Sequence, residues 1–231
     1  MFAKFIKAKN KIGFNKENTN VFKYAIDAES THVGLHYILR CLKPLKFINI
    51  ETADQIPKPE LFTDNDSESY INHFLESVKI KNYIVANISA SNINKMWISE
   101  KWIELLSNQD FNDINIILSF APSEKELAIE LKNSVPKLNV FNSRSMNDVI
   151  SLIKRTCLLI TPDTSLVHVA AAFNIPILGM FSGLDDFYKK FEPLSDVKES
   201  VRSPHGVDGI KGIESKDVID AFLRIRKTID I

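Results

Sequence analysis

From residue 83 onward, apolar runs of four to seven residues alternate with amphipathic stretches, and this alternation constrains the fold more than any other feature of the chain. YIVANIS, INIILSF, LNVF, LLIT and IPILGMF are each too short to cross a bilayer and too uniformly apolar to leave one face in water. Such runs read as strands of a parallel sheet covered on both faces by the helices between them. The intervening helices are SEKWIELLS, with Ser99 expected as its N-cap, PSEKELAIELKNS, with Ser123 and Glu126 expected as a capping box, SMNDVISLIKR, and SLVHVAAAF. IPILGMF is expected to close the series, and SKDVIDAFLRIRKTI to form a last helix. A nucleotide-binding type of α/β domain over residues 70–231 is the expected architecture.

The front of the chain has a different texture. Residues 1–50 hold one short strand-like piece and one helical stretch, STHVGLHYILRCL, whose apolar residues recur at three and four. Residues 51–69, polar with two prolines and an acidic cluster, read as a linker between two domains. The opening MFAKFIKAKNKIGF has neither the continuous apolar core nor the cleavage site of a signal peptide. Its lysines suit a solvated face or a weak surface attachment. An apolar patch is expected to be exposed on the first fifty residues.

With 29 basic and 29 acidic residues among 231, no net field draws the chain to nucleic acid. The two cysteines, Cys41 and Cys157, lack metal-type or framework spacing and are expected to be isolated buried thiols of a cytoplasmic protein. Neither a metal nor a resident cofactor is called for by any cluster of ligand-type residues.

TPDTSLVHVAAAFNIPILGMFSG, residues 161–183, carries the chemistry. A helix that only packs needs one capping side chain, whereas this one offers Asp163, Thr164 and Ser165 at its start and His168 a turn later. The unpaired amides and positive dipole end of such a start form a seat for a diphosphate. Thr164 and Ser165 add hydroxyl donors, and Ala170, Ala171 and Ala172 let the helix lie close to its sheet. Asp163 would repel phosphate, so its expected role is to orient donors or meet sugar hydroxyls. Taken singly, Asp163 reads as an N-cap and His168 as a core histidine; their combination after a strand end points to a ligand.

Residues 163–183 resemble the signature of glycosyltransferase family 9, the ADP-heptose:lipopolysaccharide heptosyltransferases, which runs D-S/T-G-x-x-H-x-A-A-A and then a proline and a strand ending near glycine. ISASNINKMWISEKWIELL is similar to the family's stretch of small hydroxyl residues before K-x-W, and APSEKELAIEL to its acidic helix start. The resemblance is good over residues 83–183 and fainter before it.

What it implies is a two-domain GT-B glycosyltransferase, in which the C-terminal domain holds the donor and residues 1–50 are a remnant of the acceptor domain. The reaction implied is transfer of a heptose or similar sugar from a nucleotide-diphosphate donor, such as ADP-heptose, to a lipopolysaccharide or other glycolipid acceptor at the cytoplasmic face of the inner membrane. Ser91 and Lys95 would contact the phosphates or donor sugar, Glu124 the ribose, and Asp163, Thr164, Ser165 and His168 the diphosphate. Alone, Lys95 reads equally as a loop lysine and Glu124 as a dipole-favoured helix start, while Trp97 and Trp102 read as core.

Two departures stand out. Ser165 occupies the family's glycine position, which implies a looser phosphate approach or a hydroxyl contact in its place. The front lacks the family's opening strand, glycine loop and catalytic carboxylate, so the catalytic base is unassigned. A fragment, a natural truncation or a non-catalytic nucleotide-sugar-binding remnant is the alternative to a turning-over enzyme, and a nucleotide-sugar epimerase on the same fold is another.

Overall fold

The computed structural model describes residues 5–15, 21–27, 35–51, 56–229 and 231, and the chain divides into two units. The first comprises Met1–Pro57 and Asp185–Glu192, the second Lys58–Leu184 and Pro193–Ile231.

In the first unit, β1 (Ile12–Asn15) and β2 (Tyr24–Asp27) pair in parallel, Ile12 opposite Tyr24 and Phe14 opposite Ile26. Helix α1 (Tyr37–Leu42) follows, with the His36 imidazole accepting from the Ile38 amide, and it runs into a 3-10 turn, Lys43–Ile48. The first residues of the stretch read as helical, 30–34, lie outside the described residues. A return segment that the sequence reading had no signal for completes the unit: in the short helix Asp185–Phe191, Phe191 packs its ring 5.5 Å from that of Tyr37. Among the unit's described residues Ile26 is the one buried apolar side chain, while Phe5, Ile6, Tyr37, Ile48 and Ile50 are exposed. Cys41 is exposed because α1 buries none of its residues, and Cys157 is half-buried; the expectation of two buried thiols is corrected.

The second unit opens with α2 (Asn65–Val78), which begins inside the stretch expected to be linker. The acidic polarity that suggested a loop is that of a helix start: Asp64 caps the Ser67 amide at 2.7 Å, and Asp66 and Glu68 lie in the positive first turn. Beyond it stand β3 (Ile84–Asn87), α3 (Ser99–Ser107), β4 (Ile116–Ser119), α4 (Lys125–Ser134), β5 (Asn139–Phe141), α5 (Met146–Ile153), β6 (Leu158–Pro162), α6 (Ser165–Ala172), β7 (Ile177–Phe181), α7 (Asp185–Phe191, the helix of the first unit), β8 (Lys198–Arg202) and α8 (Ser215–Arg226).

The six strands from β3 to β8 are all parallel, in the order β5-β4-β3-β6-β7-β8. IPILGMF therefore does not close the sheet. The sixth strand, KESVR, escaped a reading based on apolar runs because it is an edge strand whose residues are mostly half-exposed. Two local expectations also change. Ile98, not Ser99, stands at the N-cap of α3, with Ser99 already helical. The capping box of Ser123 and Glu126 does not form, since Pro122 starts a 3-10 turn, Pro122–Glu124, that delays helix entry to Glu124 and leaves the Ser123 hydroxyl donating to Glu124 Oε1 at 2.7 Å.

Both faces of the sheet are covered. One carries Ile84, Ala86, Ile116, Leu118, Leu158, Ile160, Leu178 and Met180 in a single core with Trp97, Trp102, Phe111 and Phe222. Phe111 stacks on Phe222 at 4.0 Å, and Trp97 meets Trp102 edge to face at 5.1 Å, as the core reading of both tryptophans requires. Each such side chain contributes about 1.5–3 kcal/mol by leaving water. The strand order reverses between β3 and β6, where successive crossovers leave the sheet in opposite directions and open a crevice at the strands' carboxyl ends.

Candidate functional site

At that reversal two polar side chains, Asn87 and Thr161, interrupt otherwise apolar strand ends. Asn87, last in β3, donates from Nδ2 to Thr161 Oγ1 in β6 at 2.9 Å and to the Ser89 carbonyl at 3.0 Å. Thr161 Oγ1 donates to the Pro162 carbonyl at 2.9 Å and lies 3.3 Å from Thr164 Oγ1. Thr164 is the N-cap of α6, accepting from the Leu166 amide at 3.2 Å. A buried hydrogen-bond chain thus runs from β3 through β6 to the start of α6 and fixes where that start points. The simple N-cap role considered for Asp163 belongs to Thr164.

In front lies a cleft of about 580 Å³, lined by the ends of β3 and β4, the turns after them, the loop before α5 and the first turn of α6. Of the residues singled out in the sequence, Ser91, Glu124, Thr164 and Ser165 line it. Ala170 and Ala171 are buried behind it, allowing α6 its close approach to the sheet. Serines dominate the polar part of the wall, and Phe120, Met146, Val149 and Leu166 the apolar part. A wall that mixes hydroxyls with apolar carbon suits an amphiphilic ligand with a flat ring and an anionic tail.

Two of the charges beside it are bound to each other. Lys95, at the end of the 3-10 turn Ile93–Lys95, donates from Nζ to Asp163 Oδ2 at 2.6 Å, with the two side chains 34% and 17% exposed. Neither is among the residues lining the cleft; the pair adjoins it through Thr164. His168 stands a turn into α6, half-buried, outside the lining as well. Glu124 offers something else: Oε1 accepts from Ser123, while Oε2 is buried and has no hydrogen-bond partner. A carboxylate oxygen held out of water without a donor is costly, and a ligand hydroxyl would relieve it.

The sequence reading missed Asn87, Thr161 and Arg144. The first two had a signal, a polar residue ending an otherwise apolar strand run. Arg144 had none, since its partners converge only in the fold. Its guanidinium donates to both carboxylate oxygens of Asp148, at 3.0 and 2.9 Å, and to Asp66 at 2.8 Å, and stacks 3.9 Å above the Tyr70 ring. Its amide donates to Asp148 Oδ2 at 2.8 Å. Asp148 is fully buried, and the Arg144 hydrogen bonds hold its carboxyl down at about 2. The loop carrying Ser143, Arg144 and Ser145 is thereby fastened to α5 and α2 as a fixed wall of the cleft.

Residues 1–209 match the model of glycosyltransferase family 9 (heptosyltransferase). The chain belongs to glycosyltransferase family 9. It is 25% identical over 187 residues to the lipopolysaccharide core heptosyltransferase OpsX of Haemophilus influenzae, an alignment covering 77% of this chain and 52% of that protein. The glycosyl transferase family 9 structure from Veillonella parvula superposes with a TM-score of 0.73 at 14% identity, over 88% of this chain and 63% of that one. Heptosyltransferase WaaC of E. coli, solved with ADP, gives 0.65 at 18% identity, over 89% and 60%. These likenesses confirm the α/β, GT-B-type fold, and this family 9 chain spans between half and two thirds of the length of these relatives. Among its described residues no helix is long and apolar enough to cross a membrane, and no group of three or more metal-ligating side chains occurs.

Proposed function

We propose that this family 9 chain binds the nucleoside-diphosphate end of an activated sugar in the cleft before α6 and serves the transfer of a heptose or similar sugar to a lipopolysaccharide or related glycolipid. The observation that carries the reading is the cleft at the sheet's reversal, opened by the first turn of α6 and holding an unpartnered carboxylate oxygen on Glu124. The nucleobase meets the apolar side chains of the wall, the ribose hydroxyls donate to Glu124, and the diphosphate meets the positive start of α6 and the Ser165 hydroxyl. Ser91, which lines the same cleft, is the proposed further donor to those phosphates. Lys95, paired with Asp163, and His168, a turn into α6, supply the remaining donors in this reading.

In this reading the acceptor hydroxyl attacks the anomeric carbon as a base takes its proton, and the bond from that carbon to the diphosphate oxygen breaks. Negative charge gathers on the leaving diphosphate, where the positive start of α6 and Lys95 stabilise it. An amphiphilic acceptor would put the reaction at the cytoplasmic face of the inner membrane.

Calorimetric titration with ADP, UDP and GDP tests the site. One of the three binds, and Lys95→Ala and His168→Ala each weaken it about tenfold, the size of one charge-assisted hydrogen bond. No heat with any diphosphate refutes the reading. Binding without transfer to a lipopolysaccharide acceptor would make the chain a donor-binding module.

A further inference from the structure

Lys95 sits on a turn of three residues, too short to fix its own position. Something behind it must. The Asn94 carbonyl accepts from the Ile210 amide at 2.9 Å, Trp97 Nε1 donates to the Ile213 carbonyl at 3.0 Å, and Lys101 Nζ donates to the carbonyls of Lys211 and Ile213 at 2.9 and 2.8 Å. Ile210 and Ile213 are buried in the core beneath. The segment they belong to is tied at its other end to the tip of β7. The Ser203 amide donates to the Phe181 carbonyl at 3.0 Å, the Gly183 amide to Val207 at 2.8 Å, and the Gly206 amide to Gly183 at 3.0 Å. The Ser203 hydroxyl closes the loop on itself by donating to the Gly209 carbonyl at 2.7 Å.

We infer that residues 203–213 form a brace that sets the position of Lys95, and that Gly209 is the positioning residue on which it depends. The inference rests on the donor-site reading, in which Lys95 serves the diphosphate. Gly209 has φ +95°, and a Cβ there would stand 2.7 Å from the Asn94 carbonyl oxygen, with the Asn94 Cβ at 3.3 Å. Backbone against backbone leaves nothing flexible to yield. A methyl group at 209 strains the backbone at this φ and presses on the residue preceding Lys95, which on this inference carries Lys95 away from its 2.6 Å contact with Asp163. Gly212, on the same segment, faces open space at its Cβ position, so a methyl group there meets no atom. The two glycines differ in what they hold, and that difference makes the brace testable.

The experiment compares Gly209→Ala, Gly212→Ala, Lys95→Ala and the Gly209→Ala/Lys95→Ala pair in the full chain. Thermal melts confirm folding, titrations with ADP, UDP and GDP report binding, and a crystal structure of Gly209→Ala reports where Lys95 goes. Gly209→Ala weakens the bound diphosphate about tenfold, Gly212→Ala leaves it within about twofold, and in the Lys95→Ala background Gly209→Ala adds less than about twofold, because both changes remove one interaction. Multiplying losses, about a hundredfold in the pair, would show that Gly209 acts elsewhere and overturn the brace. So would a Gly209→Ala structure with Lys95 still 2.6 Å from Asp163. Should Gly209→Ala fail to fold, Trp97→Phe, which deletes the hydrogen bond to Ile213, takes its place in the same cycle with the same outcomes. A displaced Lys95 together with unchanged nucleotide affinity in Lys95→Ala would uphold the brace and sink the donor-site reading, so the two fail in different ways.

Discussion

Asp163 and Lys95 illustrate how a residue's partner redefines it. In the sequence, Asp163 is an acid at a helix start where phosphate is expected; in the fold its charge is spent on Lys95 at 2.6 Å. A bound diphosphate must share that ammonium with the carboxylate. Asp163→Asn keeps an oxygen for Lys95 and removes the repulsion, which even at the dielectric of bulk water amounts to about 1 kcal/mol for charges about 4 Å apart. Affinity for the bound diphosphate should rise about fivefold, and the gain should shrink as salt is added. Equal or weaker binding would mean that Asp163 holds Lys95 in place more than it competes for it. Glu124 makes a different prediction. Its Oε2 is buried without a partner and can accept from a ribose hydroxyl. Glu124→Gln should cost a ribonucleotide about tenfold while leaving the 2′,3′-dideoxy analogue within about twofold, as read by titration with both.

At the scale of elements, the cleft wall depends on one clamp. The Arg144 hydrogen bonds hold Asp148 at about 2, below the roughly 3.9 of an unfolded chain. A carboxyl whose folded value is lowered adds stability in full above the unfolded value and loses it as pH falls toward the folded one. Denaturant unfolding from pH 5 to 2 should therefore show a loss of stability, between about pH 4 and 2, that Asp148→Asn lacks. At pH 7 that variant should be about 2 kcal/mol less stable, having given up charge-assisted hydrogen bonds. Parallel curves for the two proteins would dismiss the clamp. What could be read in advance at this scale follows the same physics. Strands β3, β4, β6 and β7 announced themselves because burial on both faces demands unbroken apolar runs. The edge strand β8 needs no such run, and α2 starts with the acidic residues that a helix dipole prefers and a loop also tolerates. The start of α6 was legible because its surplus of polar groups had no packing role, whereas the Arg144 clamp joins positions 66, 70, 144 and 148, which no local pattern links.

For the whole molecule, the unequal cores of the two units matter most. The unit of Lys58–Leu184 and Pro193–Ile231 holds nearly all of the buried apolar side chains, while among the described residues of the other unit Ile26 alone is buried. Few buried contacts mean a low free energy of opening, so the amides of β1 and β2 should exchange with deuterium well before those of β3 and β6. The return segment 185–192, reaching the first unit from beyond β7, was illegible in the sequence because it is defined by where the chain comes back to and not by its own pattern. Unequal cores also separate the effects of ligand. A nucleotide held within the larger unit stabilises that unit by about 2.7 kcal/mol at a hundred times its dissociation constant. For a unit of this size that raises the midpoint by about 5–10 °C. No described residue of the smaller unit lines the cleft, so its unfolding should have no linkage to the nucleotide. Scanning calorimetry with exchange-labelled β1 and β3 should then show the β3 transition moving upward with nucleotide while β1 opening stays where it was. If both shift together, the units unfold as one, and the donor cleft draws its stability from the entire chain.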